Sequence, residues 1–257
     1  MRRAVVVARK EITDHIRDRR SVVSSAFMAL MGPGVVLLVS MSDRMRADGA
    51  ALVVMSMLSV FSLVTSFTGG IDVAMDSTAG ERERQTLLPL LLNPVRPFDI
   101  LVGKWMAVTA FALAALAINC VATVLVLAQA APATLAARAA HVGVWMTLGL
   151  VPLAALGAAV NLLVAARCRT TKEAHTALRM VAFVPMAVGL FLVFFPTWIS
   201  QAWFMPIVGQ QILIGARESV PVAQAVVLAL VTIAATVPVL FGVTRMTSHD
   251  DILSVRA

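Results

Sequence analysis

Apolar and polar residues fall along this chain in blocks. Six blocks, Val22–Met41, Ala50–Ile71, Trp105–Ala128, Val142–Ala166, Met180–Phe195 and Val222–Thr244, contain no Asp, Glu, Lys, Arg or His. About 20 apolar residues in a helix cross the hydrocarbon core of a bilayer, so each block predicts a membrane-spanning helix, the fifth being the shortest. A helix satisfies its own backbone hydrogen bonds in lipid, which an open strand cannot do. The pattern predicts an all-α polytopic membrane protein with six transmembrane helices, read as one transmembrane domain over residues 1–257.

The segments between the blocks have their own patterns. In residues 2–20, Val5, Ala8, Ile12 and Ile16 recur at helical spacing among Arg2, Arg9, Lys10, Asp14, Arg17 and Asp18. This predicts an amphipathic helix in the membrane interface, its basic face toward lipid phosphates. Glu11, Asp14 and Asp18 among the bases, with no convincing small-residue cleavage site, predict that residues 1–21 are retained rather than removed as a leader. Gly32-Pro33-Gly34 predicts a kink in the first span, and Pro152, Pro185 and Pro238 lie inside later ones.

Residues 72–104 are the sharpest polar interruption. Asp72 and Asp76 open it, Gly80 allows a sharp change of direction, and Glu81-Arg82-Glu83-Arg84 cannot lie in hydrocarbon. Glu81–Leu92 predicts a short helix with Leu87, Leu88, Leu91 and Leu92 as its apolar face, ended by Asn93-Pro94. A second short helix, Pro97–Lys104, is predicted to lead into the third span. The whole reads as a compact helix-containing element at the membrane surface, offered to a soluble partner. A bare re-entry loop would not need four leucines. Residues 196–221 are too apolar for a solvated loop, yet Pro and Gly interrupt them, which predicts short re-entrant or interfacial helices.

Composition agrees: 60% of the 257 residues are hydrophobic, 14% are charged, and the mean hydropathy is +0.89, far too apolar for a soluble domain. The net charge of +7 is mainly a topology signal. Lys and Arg number seven, four, four and two in residues 1–21, 72–104, 167–179 and 245–257, against two, one and one in residues 42–49, 129–141 and 196–221. That asymmetry predicts both termini and the 72–104 element on the cytoplasmic side. Bases dispersed over four segments suit anionic lipid head groups and argue against nucleic acid. Trp105, Trp145, Trp198 and Trp203 suit interface anchoring. Cys120 and Cys168 form no disulfide framework, and no metal-ligand spacing occurs.

Chemistry-bearing motifs are few. There is no phosphate-cradling Gly-x-x-x-x-Gly-Lys-Ser/Thr, so the chain is not expected to bind or hydrolyse ATP itself. His15, His141, His175 and His249 are scattered and read as solvated or interfacial. Spans without ionisable groups argue against a proton relay. Of the polar residues inside spans, Asn119, Asn161, Ser56, Ser59, Ser62, Thr65 and Ser66 suit hydrogen bonds between helices. If they line a path instead, Asn119 is the first candidate, with Ser59, Ser62 and Ser66.

Gly80-Glu81-Arg82-Glu83, Thr86-Leu87, Leu90-Leu91, Pro94-Val95 and Gly103-Lys104 together resemble the coupling segment of ABC-2-type transporter permeases, most nearly the sodium-export (NatB-like) group. Met205-Pro206-Ile207-Val208-Gly209-Gln210 and Leu213-Ile214 are similar to that group's outer segment before the last span. Two features depart from the pattern: Leu88-Pro89 stands where a glutamate usually follows Thr-Leu, and only Ser42–Gly49 joins the first two spans. The group name carries no substrate. The resemblance implies the membrane-spanning permease of an ATP-driven exporter in a bacterial inner membrane. Two permeases, identical or paralogous, would pair. Each would rest its coupling element on a separate ABC ATPase subunit, which holds the ATP and Mg. Gly80, Glu81, Arg82, Glu83, Arg84, Thr86 and Leu87 would carry the coupling. The alternative is a non-transport membrane module that uses the same ATPase for assembly or signalling.

Overall fold

The computed structural model describes residues 2–40, 48–84, 96–130, 133–195, 202–215 and 221–254. Among them every regular element is helical. They are α1 (Arg2–Arg17), α2 (Arg19–Ser40), α3 (Asp48–Thr68), α4 (Ile71–Met75), a π-helical turn (Asp76–Gly80), α5 (Glu81–Glu83), α6 (Pro97–Ala130), α7 (Ala133–Arg167), α8 (Thr171–Phe194), α9 (Val208–Gly215) and α10 (Val222–Ser254). Among the described residues, six helical stretches are long and apolar enough to cross a membrane: Ser21–Leu38, Ser56–Glu83, Phe98–Val126, Gly149–Arg167, Thr171–Phe194 and Val222–Arg245.

The most buried spans are α3 and α7. Leu63 and Phe67 of α3 meet Leu116 of α6, Leu150, Leu153 and Leu156 of α7, and Ile214 of α9 in one cluster. Nearer the charged end, Val73 and Ala74 pack with Val108 and Phe111 of α6 and Leu162 of α7. The other spans bury less and leave large apolar side chains such as Leu38, Phe183 and Leu230 on the outside, as a helix facing lipid must.

Several expectations change. Gly80 makes no turn: its φ of −65° and ψ of −43° are helical, and the chain runs straight on into α5. The departures from α-geometry lie at Gly69-Gly70, between α3 and α4, and in the π turn that ends at Gly80. The separate short helix Pro97–Lys104 does not exist, because α6 is one helix of 34 residues. Of the predicted Glu81–Leu92 helix, Glu81–Glu83 is helical and ends at Arg84, and residues 85–92 lie outside the described residues. Pro33 sits inside the continuous α2, and Pro152, Pro185 and Pro238 inside α7, α8 and α10.

The first helix packs along α6. Its buried face is Ala4, Ala8, Glu11 and His15, while Val5, Val6 and Ile16 are exposed. The apolar stripe read from the sequence therefore meets the protein only in part. Glycine permits the close approach: a Cβ on Gly103 would lie 2.7 Å from the Ala4 carbonyl oxygen and from Val7 Cβ. His15, read as solvated or interfacial, is buried edge-on against the Phe111 ring, with centroids 6.0 Å apart. Trp105 donates its Nε1–H to the Ala155 carbonyl at 3.0 Å, tying α6 to α7.

Candidate functional site

The charged residues singled out in the sequence sit where the helix containing α3 emerges from the bundle, at the end that also carries α1, Lys104 and the α7–α8 junction. The emergence is built in steps. At Gly70 the helix passes so close to α6 that a Cβ would lie 2.6 Å from the Val108 carbonyl oxygen. The π turn over Asp76–Gly80 follows. A π turn shifts the hydrogen-bond register by one residue and frees backbone groups for other partners. Lys104, 5% exposed on α6, donates its Nζ to the Ser77 carbonyl and also meets the Glu81 carboxylate in a part-buried ion pair. A lysine this deep is stable only when its charge and donors are answered.

The next two charges are answered by the α7–α8 junction. Arg82 Nη1 donates to the Cys168 carbonyl at 3.3 Å. The Glu83 carboxylate accepts from the Thr171 backbone N–H and from Thr171 Oγ1, both at 2.8 Å. Thr171 is the first residue of α8, so Glu83 places negative charge on a helix N-terminus, where the helix dipole favours it. The junction is itself rigid. Thr170 caps α8 by accepting from the Glu173 N–H at 3.2 Å, and Glu173 reaches back to the Arg169 N–H at 2.9 Å, in the manner of a capping box. Cys168 packs there with Ala79 and Ala174. Burial pushes its thiol pKa up, Glu173 adds to the rise, and Arg82 opposes it.

Arg84 closes the described part of the segment and lines a charged cavity of about 450 Å³. Glu11, Asp14 and His15 of α1, with Asp18 just after it, face Asp76 and Arg84 across it. Thr86 and Leu87, the remaining coupling candidates, lie outside the described residues.

The candidate pathway residues are brought together, but as fasteners inside the bundle. Asn119 is fully buried; its Nδ2 donates to the Ala29 carbonyl of α2 at 2.8 Å, and its Oδ1 accepts from Ser62 Oγ at 2.9 Å, joining α2, α3 and α6. Ser59 accepts from Gln211 Nε2 of α9 at 2.7 Å. Ser66 is buried and bonds back to the Leu63 carbonyl at 2.7 Å. Asn161 of α7 donates to the Phe67 carbonyl at 2.7 Å.

Residues missed in the sequence complete both ends. Ser77, the Cys168 carbonyl and Thr171 receive the charged segment, and only the Thr170-x-x-Glu173 box left a readable signal. At the far end Gln210 is fully buried, bonding Thr232 of α10 at 3.0 Å and accepting from the Ile207 N–H at 2.6 Å. That second bond holds Ile207 at φ 74°, a region β-branched residues avoid.

Against this geometry, the family profile described as ABC-2 family transporter protein matches residues 5–252. The ABC transporter permease protein NatB of Bacillus subtilis (strain 168) is 30% identical over 148 residues, covering 53% of this chain and 37% of that protein. The match thus takes in little more than a third of the relative's length.

Proposed function

Because the chain belongs to the ABC-2 family of transporter proteins, we propose that this multi-pass membrane protein is the permease subunit of an ATP-driven exporter, working with a separate ABC ATPase. The observation that carries the reading is the three-point clamp on the segment after α3: Lys104 on Ser77 and Glu81, the Cys168 carbonyl on Arg82, and Thr171 on Glu83. A loop that only reconnects two spans has no need of such fixing. A segment that receives a push from a soluble ATPase must be stiff where it joins the spans, so that displacement moves helices rather than bending a loop.

On this reading the charges of residues 81–84 transmit force inside the permease, while Thr86, Leu87 and the leucines after them present the surface to the ATPase. ATP and Mg²⁺ belong to that partner. The Lys and Arg asymmetry of the loops supports a cytoplasmic side for the clamp and both termini. A second permease subunit, identical or paralogous, completes the path, and lipid covers the exposed apolar faces. Asn119, Ser59, Ser62 and Ser66 hold the framework around the path.

Affinity purification of the gently solubilised chain, read by mass spectrometry, tests this. The expected result is one soluble ATPase with a phosphate-binding loop, near one-to-one, crosslinking from position 83. A chain that emerges alone, and stays alone after crosslinking, overturns the reading.

A further inference from the structure

A second cavity, of about 300 Å³, lies between α2, α8 and the helix formed by α3 and α4. The register of its walls is fixed. Ser25 Oγ donates to the Gly69 carbonyl at 3.1 Å, Thr65 Oγ1 reaches the Met28 carbonyl at 3.5 Å, and a Cβ on Gly32 would meet Phe61 Cβ at 2.8 Å. The cavity therefore has a defined polarity along the bundle. At the clamp end it is lined by Asp72, His175 and Arg179, with Ser24 beside them. Toward the far end come Met28, Met31, Phe61, Phe183 and Met186. On α8 the change is continuous, since His175, Arg179, Phe183 and Met186 follow one another at single-turn spacing on one face.

Two details narrow the ligand. Asp72 and Arg179 both line the cavity, yet no ion pair joins them. A plain anion there would meet Asp72, and a plain cation would meet Arg179. Phe183 is 61% exposed and Met31 41%, so the apolar half opens sideways. Methionines adapt to tails of differing shape, and the volume is at the small end of ligand pockets.

We propose that this cavity binds a zwitterionic, single-chain amphiphile. Its anionic oxygens rest on Arg179 and His175, its ammonium on Asp72, and its tail on the Met and Phe wall. Entry is from the leaflet at the clamp end. Its role as transported substrate rests on the permease reading above; its binding does not.

Three probes sharing a dodecyl tail test it: dodecyl phosphoethanolamine, dodecyl phosphate and dodecylamine. Each is equilibrated with the chain in nanodiscs, and retained probe per chain is counted by native mass spectrometry. The expected result is about tenfold greater retention of the zwitterion, the scale of one lost charged hydrogen bond. Arg179→Gln should shift preference to the amine, Asp72→Asn to the phosphate, and Met28→Trp should lower all three. Leu230→Trp, on the outer face of α10, should change none. Equal retention of the three probes, or head preferences unchanged in both charge variants, overturns the proposal. The double variant Asp72→Asn/Arg179→Gln guards against misfolding: it must keep its helical circular dichroism yet lose head preference, and retained preference overturns the proposal. ATPase capture is read on the same samples. Equal retention of the three probes by the unmodified chain, with capture intact, refutes the cavity alone, whereas no capture by the unmodified chain refutes the permease reading alone.

Discussion

Replacing Lys104 by Met tests whether the clamp is a structural unit. The lysine side chain is 6% exposed and its Glu81 partner 16%, in a part-buried pair, and the same Nζ also serves the Ser77 carbonyl. Removing one partner of a buried pair typically costs 3–5 kcal/mol, because the other charge is left without an answer. Glu81 keeps some access to water, so the lower end applies, about 3 kcal/mol. The Ser77 carbonyl loses its donor, adding about 1 kcal/mol. In a chain of this size each kcal/mol moves Tm by about 2–4 °C, so Lys104→Met should lower it by roughly 10 °C. Intrinsic fluorescence during thermal unfolding in nanodiscs reads this, since Trp105 is the neighbouring residue. Glu81→Leu should also destabilise. The double variant, which removes both charges, should be more stable than the sum of the two losses by about 1.5 kcal/mol or more. A Lys104→Met protein within about 2 °C of the parent, or strictly additive single variants, would refute the reasoning.

Further outcomes follow from the same contacts. Gly103→Val should displace α1 from α6, where a Cβ already meets the Ala4 carbonyl at 2.7 Å, and cost about 2–3 kcal/mol in the same unfolding assay. Asn119→Leu should cost about 1 kcal/mol, the scale of a hydrogen bond between membrane helices, by removing the donor to the Ala29 carbonyl and the tie to Ser62; equal stability would remove Asn119 as a fastener. Cys168 should react slowly with maleimide at neutral pH and faster as pH rises, because its raised pKa delays the thiolate. Glu83→Ala, which frees the segment from Thr171, should speed that reaction several-fold at fixed pH, and an unchanged rate counts against the clamp. Reversing both Glu81 and Glu83 to Lys should leave membrane insertion intact while uncoupling ATP hydrolysis from transport, and normal transport by that variant would defeat the coupling role.

The six spans were legible because a bilayer tolerates no charge in a long helix unless something answers it. The ends of the helices were not legible for the same reason turned round. The helix containing α3 continues past Asp72 and Asp76 to Glu83, and α6 begins before Lys104, because Lys104 and Glu81 answer each other across the two helices. That pairing joins residues 23 positions apart. The contacts of Arg82 and Glu83 with the α7–α8 junction span 86 and 88 positions. No local pattern carries such information, so the sequence suggested partners outside the chain for charges that have partners inside it. Gly80 misled because glycine permits a turn without requiring one. In α1 the apolar stripe meets the protein only through its middle residues, Ala8 and Ile12, while Val5 and Ile16 are exposed. The protein-facing side holds Glu11 and His15, since what it meets includes the charged cavity beside Asp76.

The close approach of Gly69-Gly70 to α6 divides one long helical element into two arms. A Cβ at either glycine would collide with α6, at Ala115 on one and at Val108 on the other, so the element is pinned there and can move little sideways. On one arm, about 16 Å away at 1.5 Å per residue, Ser59 holds Gln211 of α9. On the other, about 20 Å away, Glu83 holds the start of α8. A beam pinned near its middle swings its tips in opposite senses. An inward swing at the Glu83 tip is therefore an outward swing at the Ser59 tip, of nearly equal reach. On the permease reading proposed above, closing one mouth of the bundle and opening the other would be a single tilt about a glycine fulcrum, with no relay of side chains between them.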